Sequence, residues 1–192
     1  MTPVYHIAIL ASGSGTNAEA IMSYFQQHPT IRVNLILTNK SDALVIARAK
    51  KFEIPVIIFS KAEFQNEYRF LKKLEDHRIT HLVLAGFLWL IPPYLVKAFP
   101  NRIINIHPAL LPKFGGKGMY GRKVHEAIKQ ANEEKTGITI HLVNEHYDEG
   151  TTVFQASCDV MPDDTVEDIS RKVQQLEHQH YPIVIEGWIQ KK

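Results

Sequence analysis

Two polar side chains with complementary chemistry lie two residues apart in the middle of the chain. Asn105 and His107 belong to a β-branched, apolar run between Pro100 and Pro108. The run predicts a short buried strand at residues 102–106, in which side chains two residues apart point to one side. An amide can donate to a developing oxyanion and an imidazole can move protons near neutral pH, so the pair is a candidate catalytic site. The alternative is that both side chains only satisfy backbone groups at a strand end.

A glycine-rich loop near the N terminus offers a second kind of site. Residues 4–10 form an apolar run that predicts a strand buried on both faces, and residues 18–25 carry apolar side chains at helical spacing. The loop between them, residues 11–17, is therefore a βα turn, where exposed N–H groups at a helix N terminus attract anions. We predict a phosphate site. The alternative is a tight turn whose polar residues only cap the helix.

The same loop also matches a dinucleotide-binding pattern through Gly13, Gly15 and Ala18. That pattern needs an acidic residue at the tip of the second strand, where it binds a ribose hydroxyl. The tip at residues 37–40 has none, and the nearest acid, Asp42, lies past the strand. A nicotinamide-dependent oxidoreductase is therefore the weaker interpretation. The alternative that is not an enzyme is a non-catalytic sensor that binds a nucleotide.

The elements that position these residues alternate between strand and helix. After the first βα turn, strands are predicted at 31–37, 55–59 and 81–85, and helices at 43–52 and 60–77. The second helix starts with a capping box at Ser60 and Glu63. This order predicts an α/β fold with a doubly wound, mostly parallel sheet. Ligands of such sheets lie at the carboxyl ends of the strands, so the first loop should meet residues 86–93 and 105–112 there.

The C-terminal part of the chain departs from this alternation. A glycine-rich loop at 113–121, which is mobile or wraps something, precedes a predicted helix at 122–131. Residues 136–143 and 152–160 predict an antiparallel hairpin, and an amphipathic helix follows residues 163–165. Asp148 lies in the polar turn of the hairpin, where an aspartate is usually a turn former.

Composition limits the classes of protein that fit. The chain has 192 residues, 45% hydrophobic and 22% charged, which predicts a single globular domain over 1–192. The net charge of +2 without blocks of like charge does not suggest nucleic acid or a membrane surface as a partner. One cysteine, no signal peptide and no long apolar run favour a cytoplasmic protein, either monomer or homodimer. The ten histidines show no metal-ligand spacing, so we expect no metal.

Short motifs spread over the whole chain add a family resemblance. In order they are Ser-Gly-Ser-Gly-Thr-Asn (12–17), Leu-Ala-Gly-Phe (84–87), Asn-Ile-His-Pro-Ala-Leu-Leu-Pro (105–112), Asp-Glu-Gly (148–150), Gln-Leu-Glu-His (175–178) and Tyr-Pro (181–182). The combination resembles the glycinamide ribonucleotide formyltransferase family. The resemblance implies a Rossmann-like formyltransferase fold and, in purine biosynthesis, formyl transfer from 10-formyltetrahydrofolate as co-substrate to the amine of glycinamide ribonucleotide.

The resemblance also implies roles for individual residues. The family's catalytic residues match Asn105, His107 and Asp148. The residues that hold the phosphate and sugar of the ribonucleotide match Gly15, Thr16, Asn17, Gln174 and Glu177. The segments that enclose the folate, with Asn105 beside them, match Leu88, Trp89, Leu90, Ile91, Asn144, Glu145, His146, Tyr147 and Asp148.

The chain departs from the family pattern in two places. Trp89 stands where the family commonly has an arginine, and an indole cannot pair with the glutamyl carboxylates of a folate. The loop at 113–121 is several residues longer than usual, so none of its residues is assigned. In the family, the Leu111–Pro112 bond is cis.

Residue chemistry is consistent with the implied reaction. An amine that attacks a formyl carbon creates charge on its oxygen, which Asn105 can stabilise, and His107 can pass a proton to the departing nitrogen. We expect Asp148 to raise the pKa of His107 and to help take up the amine proton. Formyl transfer to methionyl-tRNA or hydrolysis of formylfolate would use the same residues. Those relatives carry further domains that 192 residues cannot hold.

Overall fold

The computed structural model describes residues 3–191, which form seven strands and seven helices. The strands are β1 (Tyr5–Leu10), β2 (Ile31–Thr38), β3 (Val56–Ile58), β4 (His81–Leu84), β5 (Ile103–His107), β6 (Lys135–Leu142) and β7 (Thr152–Asp159). The helices are α1 (Thr16–Phe25), α2 (Val45–Lys51), α3 (Lys61–Gln65), α4 (Glu67–Asp76), α5 (Pro93–Ala98), α6 (Arg122–Gln130) and α7 (Val166–Gln190).

The strands form one mixed sheet in the order β3-β2-β1-β4-β5-β6-β7. Strands β1 to β5 pair in parallel, whereas β5 with β6 and β6 with β7 pair antiparallel. This confirms the predicted α/β fold with a doubly wound, mostly parallel sheet and an antiparallel C-terminal hairpin. The order reverses between β1 and β4, and a reversal of this kind opens a crevice at the carboxyl ends of the strands.

Two hydrophobic cores cover the two faces of the sheet. Alternate residues of β1 face opposite sides, because successive side chains of a strand alternate. Ile7 and Ile9 pack toward α1, α2 and α7, whereas Ala8 and Leu10 pack toward α3, α4 and α5. All four side chains are fully buried. Helices on both faces therefore fix where the strand ends, and the loops that follow them, lie.

The longest helix, α7, packs on one face of the sheet and contacts the backbone of two strands. Its N-cap residue, Thr165, forms a capping box with Asp168. Its fully buried Tyr181 donates a hydrogen bond of 2.8 Å from its hydroxyl to the Leu84 carbonyl, with the Ile104 carbonyl 3.3 Å away. Within residues 3–191, no helix is both long and apolar enough to cross a membrane.

One predicted helix is wrong. The segment at 60–77 forms two helices, α3 and α4, because Asn66 between them is extended, with φ −88° and ψ 96°. The Asn66 side chain accepts a hydrogen bond of 3.0 Å from the Arg69 N–H, which starts the second helix. The capping box at Ser60 is confirmed. The other predicted elements with stated bounds begin and end within two residues of the observed ones.

Candidate active site

A cleft of about 1070 Å³ opens where the strand order reverses. The loops after β1 and β4 meet there, since the Ser12 N–H donates to the Gly86 carbonyl at 3.0 Å. The Leu88 N–H donates to Ser12 Oγ at 3.1 Å. The end of β5, the turn before β7 and the start of α7 complete the walls. The predicted meeting of the strand ends is therefore confirmed.

Most of the sequence-predicted site residues line this cleft. They are Gly15, Thr16, Asn17, Leu88, Trp89, Leu90, Ile91, Asn105, His107, His146, Tyr147, Asp148, Gln174 and Glu177. Two expected folate-binding residues, Asn144 and Glu145, do not line it. The Asn144 side chain instead accepts a hydrogen bond of 2.9 Å from the His146 N–H, and Glu145 is exposed. Asn144 and Glu145 lie in the turn that carries Asp148.

Asn105 and His107 lie on one face of β5 and converge on Asp148. Asp148 Oδ2 is 3.4 Å from Nδ1 of His107, and Asp148 Oδ1 is 3.5 Å from Nδ2 of Asn105. His107 is only 3% exposed. Its Nε2 lies 2.8 Å from the Phe114 carbonyl, which can only accept, so Nε2 carries a proton. The nitrogen that can gain or lose a proton is therefore Nδ1, which faces Asp148.

His141, which the sequence did not single out, joins the same group. It pairs with Asn105 across β5 and β6, and its Nδ1 is 2.9 Å from the Leu142 carbonyl, so Nδ1 donates. Its Nε2 lies 3.1 Å from the Asn105 amide nitrogen and 3.6 Å from Asp148 Oδ1. The sequence signal that could have identified His141 is that a histidine stands in a strand otherwise rich in isoleucine. Among residues 3–191, no group of three or more His, Cys, Asp or Glu is arranged to hold a metal ion.

The glycine-rich loop at 113–121 wraps over His107 and Asp148. Besides the Phe114 carbonyl, it supplies the Gly116 N–H, which donates to Asp148 Oδ2 at 2.9 Å. The turn before it is held by Thr139, whose hydroxyl donates to the Ala109 carbonyl at 2.7 Å and accepts from the Leu111 N–H at 2.9 Å. The expected cis bond between residues 111 and 112 is present. Backbone atoms of the loop thus hold both the imidazole and the carboxylate.

Burial and neighbouring charges shift the pKa values of His107 and Asp148. Burial lowers the pKa of His107 below its ordinary value, and the Asp148 carboxylate raises it only in part. The effect expected of Asp148 on the pKa of His107 is therefore present, but burial outweighs it. Burial raises the pKa of Asp148, but His141, His107 and the Gly116 N–H outweigh burial and leave that pKa below its usual value. The resting pair is a neutral imidazole beside a carboxylate.

The first loop presents backbone rather than side chains at the start of α1. Gly15 is the N-cap residue with φ 72°, and no side chain caps the helix. A Cβ at this position would lie 2.6 Å from Cβ of Val45 on α2. A side chain at position 15 would therefore meet α2 rather than the cleft. Gly15 is required because α2 packs directly behind the loop.

Helix α7 contributes a wall beside the start of α1. Asn17 Nδ2 donates to Glu177 Oε2 at 2.9 Å, and Gln174 Nε2 donates to Thr16 Oγ1 at 3.2 Å. Burial raises the pKa of Glu177 to about 7, although the Asn17 hydrogen bond lowers it in part. Lys40, at the tip of β2, also lines the cleft. The tip thus carries a cation where a dinucleotide site needs an acid.

Trp89 forms part of an aromatic cluster at the other end of the cleft. Its ring lies 6.0 Å from the ring of Phe59 and 5.9 Å from that of Phe64. A second cavity of about 460 Å³ adjoins the cleft here and is lined by Trp89, Lys61 and Tyr94. This end of the site is mainly apolar and aromatic, with a single lysine among the residues that line the second cavity.

Comparison with known proteins decides the family. The family described as formyl transferase matches residues 5–185. The chain belongs to the formyl transferase family. Asn105, His107, Asp148 and the loop at 11–17 all lie within the matched residues.

Individual formyl transferases are similar over nearly the whole chain. The phosphoribosylglycinamide formyltransferase of Bacillus subtilis is 36% identical, covering 93% of this chain and 91% of that protein. The chloroplastic enzyme of the same name from Arabidopsis thaliana is 40% identical, and the chain spans only 63% of its length. The crystal structure of phosphoribosylglycinamide formyltransferase from Bacillus halodurans superimposes with a TM-score of 0.87 at 38% identity, covering 97% of this chain and 96% of that one.

Proposed function

We propose that this formyl transferase moves the formyl group of 10-formyltetrahydrofolate to the amine of glycinamide ribonucleotide, giving formylglycinamide ribonucleotide and tetrahydrofolate. One observation carries the proposal. A single cleft joins an anion-binding type of loop at Gly15 to the group formed by Asn105, His107 and Asp148. A phosphorylated amine bound at the loop has its reactive end within the same cleft as the proton-handling group.

The ribonucleotide half of the site uses the loop and α7. The N–H groups at the start of α1 suit a phosphate, because they have no acceptor within the helix and lie at its positive end. Gln174 and Glu177 suit the sugar, since an amide and a carboxylate can bond two hydroxyls. The pKa of about 7 for Glu177 falls once a hydroxyl donates to the carboxylate, because such a bond favours the charged form.

The folate half uses the apolar wall formed by Leu88, Trp89, Leu90 and Ile91, and Tyr147 lines the same part of the cleft. This wall fits a flat ring system, which gains most from apolar and aromatic contacts. The adjoining cavity with Lys61 suits the benzoyl-glutamate tail of the folate. The ammonium of Lys61 then pairs with a glutamyl carboxylate, in place of the arginine that the family commonly has at the position of Trp89.

The chemistry follows from the protonation of His107 and Asp148. The substrate amine attacks the formyl carbon, and negative charge builds on the formyl oxygen. An N–H of Asn105 can stabilise this charge by giving up its long 3.5 Å contact to Asp148, and one such donor is worth about 2.7–4 kcal/mol. His107 Nδ1 accepts the amine proton, and the imidazolium is stabilised by Asp148. The carbon–nitrogen bond to the folate then breaks as this proton passes to the folate nitrogen.

An assay of formyl transfer tests the proposal. The protein is mixed with 10-formyltetrahydrofolate, and the absorbance of tetrahydrofolate formation is followed with and without glycinamide ribonucleotide. We expect turnover only when both are present. The unphosphorylated riboside serves as the matched control and should react far more slowly at equal concentration. Absence of turnover with both substrates, or tight binding of NADH, would contradict the proposal.

A further inference from the structure

Helix α2 holds the first loop from the side that faces away from the cleft. The Val45 N–H donates to the Gly13 carbonyl at 3.3 Å, and Arg48 Nε donates to the Ser14 carbonyl at 2.8 Å. Residues 12–17 line the cleft, but no residue of α2 does. Two successive carbonyls of the loop are therefore turned toward α2.

The direction of a carbonyl determines the direction of the next N–H. In a planar trans peptide, the C=O of one residue and the N–H of the following residue point in opposite directions. Because the Gly13 and Ser14 carbonyls point to α2, the Ser14 and Gly15 N–H groups point away from it, toward the cleft. Neither N–H donates a hydrogen bond to another group in the described part of the chain. Both are free to bind an anion, and no carbonyl dipole opposes them there.

Arg48 is itself held in a fixed orientation. Its Nη1 donates to Glu19 in the first turn of α1, while Nε holds the Ser14 carbonyl. A guanidinium can serve two acceptors at once because its donors form a rigid planar fork. The side chain is only 26% exposed. Lys51, one turn further along α2, also reaches Glu19, at 3.4 Å, but has no hydrogen bond to the loop.

We propose that Arg48 is a positioning residue for the phosphate loop: it holds the Ser14 carbonyl away from the cleft so that the Gly15 N–H faces the bound phosphate. The inference rests on the proposed function for the identity of the ligand. Arg48 does not line the cleft, so it acts through the loop and not by contact with the phosphate. Its removal frees the Ser14–Gly15 peptide to rotate.

Steady-state kinetics of Arg48→Met, Arg48→Lys and the control Lys51→Met test this role. A hydrogen bond to a charged group contributes enough free energy that its loss in Arg48→Met should raise the KM for glycinamide ribonucleotide about 10–100-fold. The KM for 10-formyltetrahydrofolate and kcat should change less than about threefold. Arg48→Lys should restore only part of the affinity, because an ammonium lacks the fork. Lys51→Met should behave as the wild type.

Amide NMR separates failure of this inference from failure of the proposed function. Titration with inorganic phosphate should shift the Ser14 and Gly15 amide resonances in the wild type and in Lys51→Met, and leave them nearly unshifted in Arg48→Met. This measurement needs no turnover. If the wild type transfers no formyl group but these amides respond as described, the proposed function fails and the positioning role stands. An Arg48→Met protein with wild-type amide shifts and an unchanged ribonucleotide KM would overturn the role. If Arg48→Met does not fold, Arg48→Lys provides the test. A wild-type ribonucleotide KM together with wild-type shifts of the Ser14 and Gly15 amides in Arg48→Lys would also overturn the role.

Discussion

Asp148 has a backbone conformation that suits few residue types. Its φ of 58° lies in the left-handed region, which aspartate and asparagine adopt more readily than most residues. The turn thereby aims the carboxylate back between His107 and His141. Asparagine can keep this backbone, so Asp148→Asn removes the charge with little change of shape.

The first prediction concerns the charge of Asp148. Asp148→Asn should lower the pKa of His107 further, because burial lowers this pKa and only Asp148 and the Phe114 carbonyl raise it. Turnover should fall because the imidazolium loses its counter-ion. NMR titration of the His107 ring in both proteins measures the shift. An unchanged or higher pKa of His107 in the variant would reduce Asp148 to a turn former.

The second prediction concerns the imidazole. His107→Ala should lower turnover about 10²–10⁴-fold, the usual worth of general acid–base catalysis. Affinity for the ribonucleotide should stay nearly unchanged, since the phosphate loop and α7 are not in hydrogen-bonding contact with His107. Turnover assays and calorimetric titration of the same preparation provide the two values. Wild-type turnover would exclude His107 as the proton carrier.

Asn105, His107 and Asp148, the proposed catalytic residues, differ in how far the sequence could predict them. Asn105 and His107 could be found because polar side chains in an apolar strand are unusual. Asp148 stood out only through the family resemblance, because an aspartate in a turn has no distinguishing pattern of its own. The contacts from the Phe114 carbonyl and the Gly116 N–H could not be predicted at all. Every residue has these backbone groups, so no side-chain type marks their use.

At the scale of elements, periodicity predicted the strands better than the helices of the connections. Buried strands consist of β-branched and leucine runs that few other elements share. The helix at 60–77 was wrong because Asn66 offers its side chain to the backbone three residues later, and this local bond competes with a continuous helix. Helix α5, from Pro93 to Ala98, was not predicted from the sequence.

The third prediction concerns the link from α7 to the sheet. Tyr181→Phe should lower the free energy of unfolding by about 1–2 kcal/mol, because the Leu84 carbonyl loses its buried donor. Urea denaturation measures this value. Tyr24→Phe is the matched control, because its hydroxyl bonds Glu186 at an exposed site and should contribute less. Equal effects of the two substitutions would contradict a special role for the buried tyrosine.

At the scale of the whole molecule, Glu177 couples stability to pH. Its carboxyl has a folded-state pKa of about 7, above the ordinary value of 4.5. Between these values the folded protein binds more protons than the unfolded chain, so the free energy of unfolding falls as pH rises through this range. The cost of the ionised carboxylate is fully present above pH 7. The unliganded protein is therefore destabilised by a group that the proposed function requires.

The fourth prediction follows from this linkage. Glu177→Gln should raise the free energy of unfolding by about 1–3 kcal/mol at pH 8 and change it little at pH 4.5, because glutamine resembles the protonated acid. Affinity for the ribonucleotide should fall at pH 8 and change less at pH 4.5, where the wild-type carboxyl is also uncharged. Thermal denaturation at the two pH values, with calorimetry beside it, tests both statements. A stability gain that does not depend on pH would show that ionisation of Glu177 is not its source.

The hydrogen bonds of the cleft span very different lengths of chain. The bond between Asn105 and Asp148 joins residues 43 apart in sequence, whereas the bond between Asn17 and Glu177 joins residues 160 apart. Contacts between distant residues form late because closing a long loop costs more entropy. During synthesis, β5 and β6 and the Asp148 turn are complete before α7 has been made. The nascent chain therefore contains Asn105, His107 and Asp148 before it contains the helix that, under the proposed function, binds the sugar of the ribonucleotide.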